Sequence, residues 1–242
     1  TDAEERLYVV DNFTRLVHVF DKKNNTYYTF PDKETELLSP IDIAIDKRGT
    51  IYISDSKADI VRVFNEHGKR YLTDIGREVL NRPTGIAVNE INNELLVVNT
   101  TSSEIIRFDI STYKYKGKIG GQGTDPGKFH YPTNIFISKN GQIYVSDSLN
   151  FRIQIFTPDG EFINAFGGAG DSPGYFARPR GLAVDSDDNI YVVDAIFDNV
   201  QIFNSKGNLL MDFGKPGSNY GEFWLPSGIY IDINEKVYVA DS

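Results

Sequence analysis

The chain has 242 residues, 40% of them hydrophobic and 24% charged, with a net charge of −9 and no cysteine. That length can bury a core without a covalent staple, and the missing cysteines exclude disulfides, thiolate metal sites, haem attachment and a catalytic thiol. The acidic balance argues against general nucleic-acid binding, which depends on Lys and Arg neutralising phosphates. With no apolar run of about 18 residues, this segment is not expected to insert into a membrane, and TDAEERLYVV at its start lacks the regions of a signal peptide.

Read in chain order, an apolar run of four followed by Asp or Asn recurs six times, ending at Asp11, Asp55, Asn99, Asp147, Asp194 and Asp241, at intervals of 44, 44, 48, 47 and 47 residues. A proline precedes this slot by 15 residues at Pro40, Pro132, Pro179 and Pro226, and by 16 at Pro83. An aromatic follows it by nine at Phe20, Phe64, Phe108, Phe156 and Phe203. The clearest copy is Tyr131 to Phe156, where Asn140-Gly141 separates two β-branched and aromatic runs and Asp159-Gly160 follows a third. Such pairs accept the positive φ of a tight hairpin, so each unit reads as strand, turn, strand. The pattern predicts four short antiparallel strands per unit: one after the proline, one ending at Asp, one ending at Phe and an outer one such as Phe162 to Phe166. Strand units repeated at about 45 residues predict an all-β β-propeller of four-stranded antiparallel blades, a single domain over residues 1–242. The first copy starts at its second strand and the last stops after its second, so the last blade is expected to be incomplete. Either the natural chain continues into a third strand, which is the expectation, or the ring closes with five blades.

Pro179-Arg180-Gly181-Leu182-Ala183-Val184-Asp185, Asn189 to Asp194 and Val200-Gln201-Ile202-Phe203 resemble the NHL repeat, as does the copy with Asp147, Asn150, Arg152 and Gln154. The resemblance spans about residues 7–242. It implies a six-bladed propeller, and much less about activity, because function lives in sites grafted onto folds. Resemblance to bacterial NHL-repeat proteins further implies an extracytoplasmic setting, periplasmic or at the cell surface. There such a domain would serve as a sensor or as an accessory subunit of a surface or electron-transfer assembly.

The three histidines do not share a slot in the repeat. Similar propellers of the peptidyl-amidating lyase kind hold zinc just after the blade prolines, where this chain has Ile41, Thr84, Thr133, Arg180 and Ser227. No metal, cofactor or catalytic residue is therefore expected. The recurrent carboxylate, replaced by Asn99 in one copy, reads as an acceptor for loop N–H groups, because Asn can do the same. Where propellers place small ligands, at the start of the inner strand, Asp42, Asn134 and Arg180 are candidate channel residues for a polar or anionic ligand. The loops between second and third strands carry Phe13, Leu149, Phe151, Ile196 and Phe197, a candidate protein-binding surface, since aromatic contact residues bury large areas. Arg107, where other copies have Val or Ile, marks a place that meets something polar. The resulting expectation is a non-enzymatic scaffold or interaction module with another protein as its partner. A channel-centred metal-dependent lyase or lactonase is the alternative, and RNA binding ranks below both.

Overall fold

The computed structural model describes residues 1–241. The chain divides into two compact units, at the boundary between residues 119 and 120. In the first unit, β1 (Leu7–Asp11), β2 (Leu16–Asp21) and β3 (Thr26–Phe30) form a three-stranded antiparallel sheet. Two four-stranded sheets follow it in sequence. One is β4 (Pro40–Ile45), β5 (Ile51–Asp55), β6 (Ile60–Phe64) and β7 (Tyr71–Ile75); the other is β8 (Pro83–Asn89), β9 (Glu94–Asn99), β10 (Glu104–Asp109) and β11 (Tyr115–Gly120). The second unit repeats the plan with β12 (Pro132–Ile137), β13 (Ile143–Asp147), β14 (Arg152–Phe156) and β15 (Phe162–Gly167), and then β16 (Pro179–Val184), β17 (Ile190–Asp194), β18 (Asn199–Phe203) and β19 (Leu209–Phe213). Two strands, β20 (Gly228–Ile231) and β21 (Val237–Ala240), complete it. These are the blades of an all-β propeller, four of them complete and the last holding its first two strands, as the repeat predicted.

Burial follows strand position. The second strands β5, β9 and β13 are buried along their whole length, which is why they read as unbroken apolar runs instead of alternating ones. Outer strands such as β15 and β19 are largely exposed. Neighbouring sheets pack face to face. Tyr52, Val61 and Val63 meet Leu95, Val97 and Phe108 in one cluster of the first unit, while Val17, Val19 and Phe30 meet Ile51, Ile53 and Phe64 in another. In the second unit Tyr144, Ile153 and Phe166 meet Leu182, Val192 and Phe203, with the Phe166 and Phe203 rings 4.8 Å apart between centroids. The recurrent Phe, except the exposed Phe20, is thus the anchor between blades. It is fully buried at Phe64, Phe108, Phe156 and Phe203, and aromatic pairs add to the area term.

Arg107 finds its polar partner inside its own blade. Its Nε and Nη2 bond the two oxygens of the buried Glu94 at 2.8 and 2.9 Å, and Lys116 Nζ joins them at 2.7 Å. A buried carboxylate requires such pairing, because an unpaired charge in the interior is strongly destabilising.

Candidate functional site

The recurrent Asp holds the loops at one end of each blade. Asp55 accepts N–H bonds from Leu38 and Ser39 at 2.7 and 2.9 Å, and Asn99 Oδ1 accepts from Asn81 N at 2.5 Å. Asp194 accepts from Ala177, Arg178, Ile196 and Phe197. Asp147 accepts from His130 N and from the side chains of Asn150, Arg152 and Gln154 at 2.7 to 3.0 Å. Gln154 and Gln201 extend the clamp. Each takes a glycine N–H on Oε1 (Gly127 at 2.9 Å, Gly174 at 2.7 Å) and gives Nε2 to the next loop carbonyls. These carboxylates are saturated by structural bonds, so loop geometry is their task.

In the second unit, ladder pairs place the start of each inner strand beside the end of its second strand: Pro132 with Asp147, Pro179 with Asp194 and Gly228 with Ala240. The loops 148–151 and 195–198 and the segments before the blade prolines therefore share one end of this unit. There Leu149 is 45% exposed, Ile196 52%, Trp224 60% and Leu225 46%. Leu225 N donates to Asp198 Oδ1 at 2.7 Å, which ties the Trp224-Leu225 segment to the loop bearing Ile196. Trp224 N in turn donates to Asp241 Oδ1 at 2.7 Å.

The residues singled out from sequence fall into distinct groups. Leu149 and Ile196 stand exposed at this end; Phe197 is half-buried beside them. Phe151 is half-buried: it closes a short 3-10 turn, Ser148–Asn150, at φ 55°, and its ring packs against the core cluster between the two complete blades of this unit. Phe13, in the first unit, is 96% exposed on the β1–β2 loop, whose backbone Asp11 holds at Phe13 N and Thr14 N. Trp224 and Leu225 were missed. Their slot is revealed by aligning the residues before each blade proline, where the other copies have Ala177-Arg178 and His130-Tyr131.

Asp42, Asn134 and Arg180 have local roles that differ. Asp42, in the first unit, accepts from Ile43 N at 2.8 Å and, across to the next inner strand, from Ile86 N at 3.0 Å. Burial pushes its carboxyl up to about 6, against those two bonds, which lower it. Asn134 does the corresponding job in the second unit, with Oδ1 accepting from Leu182 N at 3.4 Å. Arg180 makes no such bridge with its side chain among the described residues. Elsewhere, the Glu4, Glu66 and His67 ligand atoms lie within 4.8 Å of one another on the surface, with Arg6 Nη1 at 3.0 Å from Glu4. His18 bonds Tyr27 at 2.6 Å.

A family model described as 6-bladed beta-propeller (DUF5128) matches residues 128–197, under a third of the chain. The human E3 ubiquitin-protein ligase TRIM32 is 40% identical over 43 residues, which make up 18% of this chain and 7% of that protein. The chain thus matches only a small part of that relative. Virginiamycin B lyase from Staphylococcus aureus superposes with a TM-score of 0.73 at 14% identity, covering 100% of this chain and 75% of that one. An auxiliary nutrient binding protein from Bacteroides thetaiotaomicron gives 0.76 at 15%, over 98% and 63%. A nidogen/laminin complex gives 0.74 at 15%, over 99% and 82%. Enzymes and non-enzymes both occur among these structures, so what the likeness carries is the fold alone, a β-propeller.

Proposed function

We propose that this chain is a protein-docking module whose contact surface is the loop end of the second unit. The observation that carries the reading is the set of exposed apolar side chains there, Leu149, Ile196, Trp224 and Leu225, on loops whose backbones are fastened by Leu149 N to His130 O and by N–H bonds to Asp194, Asp241 and Asp198. Rigid loops reduce the ordering entropy lost on binding, and a Trp flanked by aliphatic residues has the composition of an interface hot spot. The net charge of −9 favours faster association with a basic partner surface. The ordered repeat motifs support membership of the NHL-repeat family, and with it a role as an extracytoplasmic sensor or as an accessory subunit of a larger assembly.

The test is affinity capture from the native source with the wild-type chain and with a W224A/I196A double variant. Loss of one stoichiometric partner in the double variant, with an unchanged melting temperature, is the expected result. Equal recovery of that partner by both proteins overturns the reading.

A further inference from the structure

In the second unit the starts of three inner strands lie side by side. Ser146 Oγ donates to the Arg180 carbonyl at 2.5 Å, Gly181 N donates to Ser227 O at 3.0 Å, and Leu182 N donates to Asn134 Oδ1 at 3.4 Å. Pairing between β16 and β17 shifts register between Pro179 and Leu182, so Arg180 sits in an irregular, bulged stretch of the ladder. Bulges re-aim side chains out of the regular pleat, and they recur next to functional sites. Equivalent irregularities follow Pro40, Pro83 and Pro132.

What distinguishes this copy is the fate of the side chain after the proline. Thr84 Oγ1 meets Thr100 Oγ1 at 2.7 Å and Thr133 Oγ1 meets Ser148 Oγ at 2.6 Å, the partner each time being the residue after the recurrent Asp or Asn. After Asp194 that residue is Ala195, which has no hydroxyl. The half-buried Arg180 guanidinium accordingly has neither a hydrogen bond nor an ion pair among the described residues. Burial, and then the Arg178 charge, hold its pKa below the usual guanidinium range. A cation held this way without a counter-charge is unfavourable compared with the threonine found in sister blades.

Asn134 Oδ1 is taken by Leu182 N, and the amide Nδ2 of this half-buried residue makes no bond among the described residues. The nearby carboxylates Asp147 and Asp194 are saturated by loop N–H and side-chain donors, as described above. We propose that the bulge at Arg180 is a binding site for a small oxyanion, a carboxylate or a phosphoryl group, held by the Arg180 guanidinium with the Asn134 amide beside it. A guanidinium fork matches two oxygens of either group. The site stands independently of protein docking at the loop end.

Calorimetric titration with sodium phosphate and with sodium acetate, against sodium chloride at matched ionic strength, tests this. Saturable binding of either anion is expected, weakened about tenfold or more in R180Q, as removal of a charge-assisted hydrogen bond implies, and unchanged in R178Q. Phosphate alone would assign a tetrahedral ligand and acetate alone a carboxylate. No saturable response beyond chloride, or an equal response in R180Q, overturns the proposal. Should R180Q fail to fold, the wild-type Gly181 and Leu182 amide resonances decide: saturable movement with the anion supports the site, and none refutes it.

Discussion

Replacing Asp42 by asparagine should make the first unit more stable at neutral pH and remove one component of its pH dependence. The Asp42 carboxyl rises from 3.8 to about 6 because it is buried, and no charged group contributes to the shift. A carboxyl raised in the folded state binds more protons folded than unfolded between those values, so stability falls as pH rises from about 4 through 6 and then levels. At about 1.4 kcal/mol per pH unit, the ionised carboxylate costs about 3 kcal/mol above pH 7. D42N removes that cost and forfeits one of the bonds to Ile43 N and Ile86 N, worth about 1 to 2 kcal/mol. A net gain of about 1 to 2 kcal/mol above pH 7 is expected, shrinking or reversing below pH 4, where the wild-type acid is already neutral. Asn134 shows that the repeat accommodates an amide in this slot. The assay is denaturant unfolding of both proteins from pH 4 to 8, read as their difference, so that carboxylates with lowered pKa such as Asp2 and Asp11 cancel. A difference that stays flat across that range would refute the reasoning.

Three further outcomes are expected. D147A removes the acceptor for His130 N, Asn150, Arg152 and Gln154 at once and should cost about 3 to 5 kcal/mol, as breaking a buried charged pair does, read by chemical denaturation; a loss under 1 kcal/mol would contradict the clamp. A Cβ at Gly181 would lie 2.7 Å from Ser227 O and 2.9 Å from Gly228 Cα, whereas one at Gly228 would meet nothing nearer than Ala240 Cβ at 3.6 Å. G181A should therefore lower the melting temperature well below that of G228A, by the equivalent of about 1 to 3 kcal/mol, and equal effects would argue against close backbone packing. F151A should lower the melting temperature, because the half-buried ring packs against the core, by less than the about 3 to 5 kcal/mol that a fully buried Phe→Ala change costs, while partner capture persists; an unchanged melting temperature would return Phe151 to the surface.

The strands and their order were legible in the sequence because each blade states the same local instructions: a proline, a buried run, an Asp that can take loop N–H groups, and a Phe. The apolar runs of four placed the second strands, and the structure buries β5, β9 and β13 completely. The same register located the loops carrying Leu149 and Ile196. Side-chain direction within those loops was not legible. Phe151 and Leu149 are two residues apart, yet a left-handed φ at Phe151 turns one ring onto the core and leaves the other side chain exposed. Nor could spacing tell Asp42, which reaches an N–H on a strand 44 residues away, from Arg180, which occupies a neighbouring slot and finds no partner among the described residues. Periodicity encodes which residues share a strand and a face. Hydrogen-bond saturation depends on what the adjacent blade brings within 3 Å, and only the tertiary structure decides that.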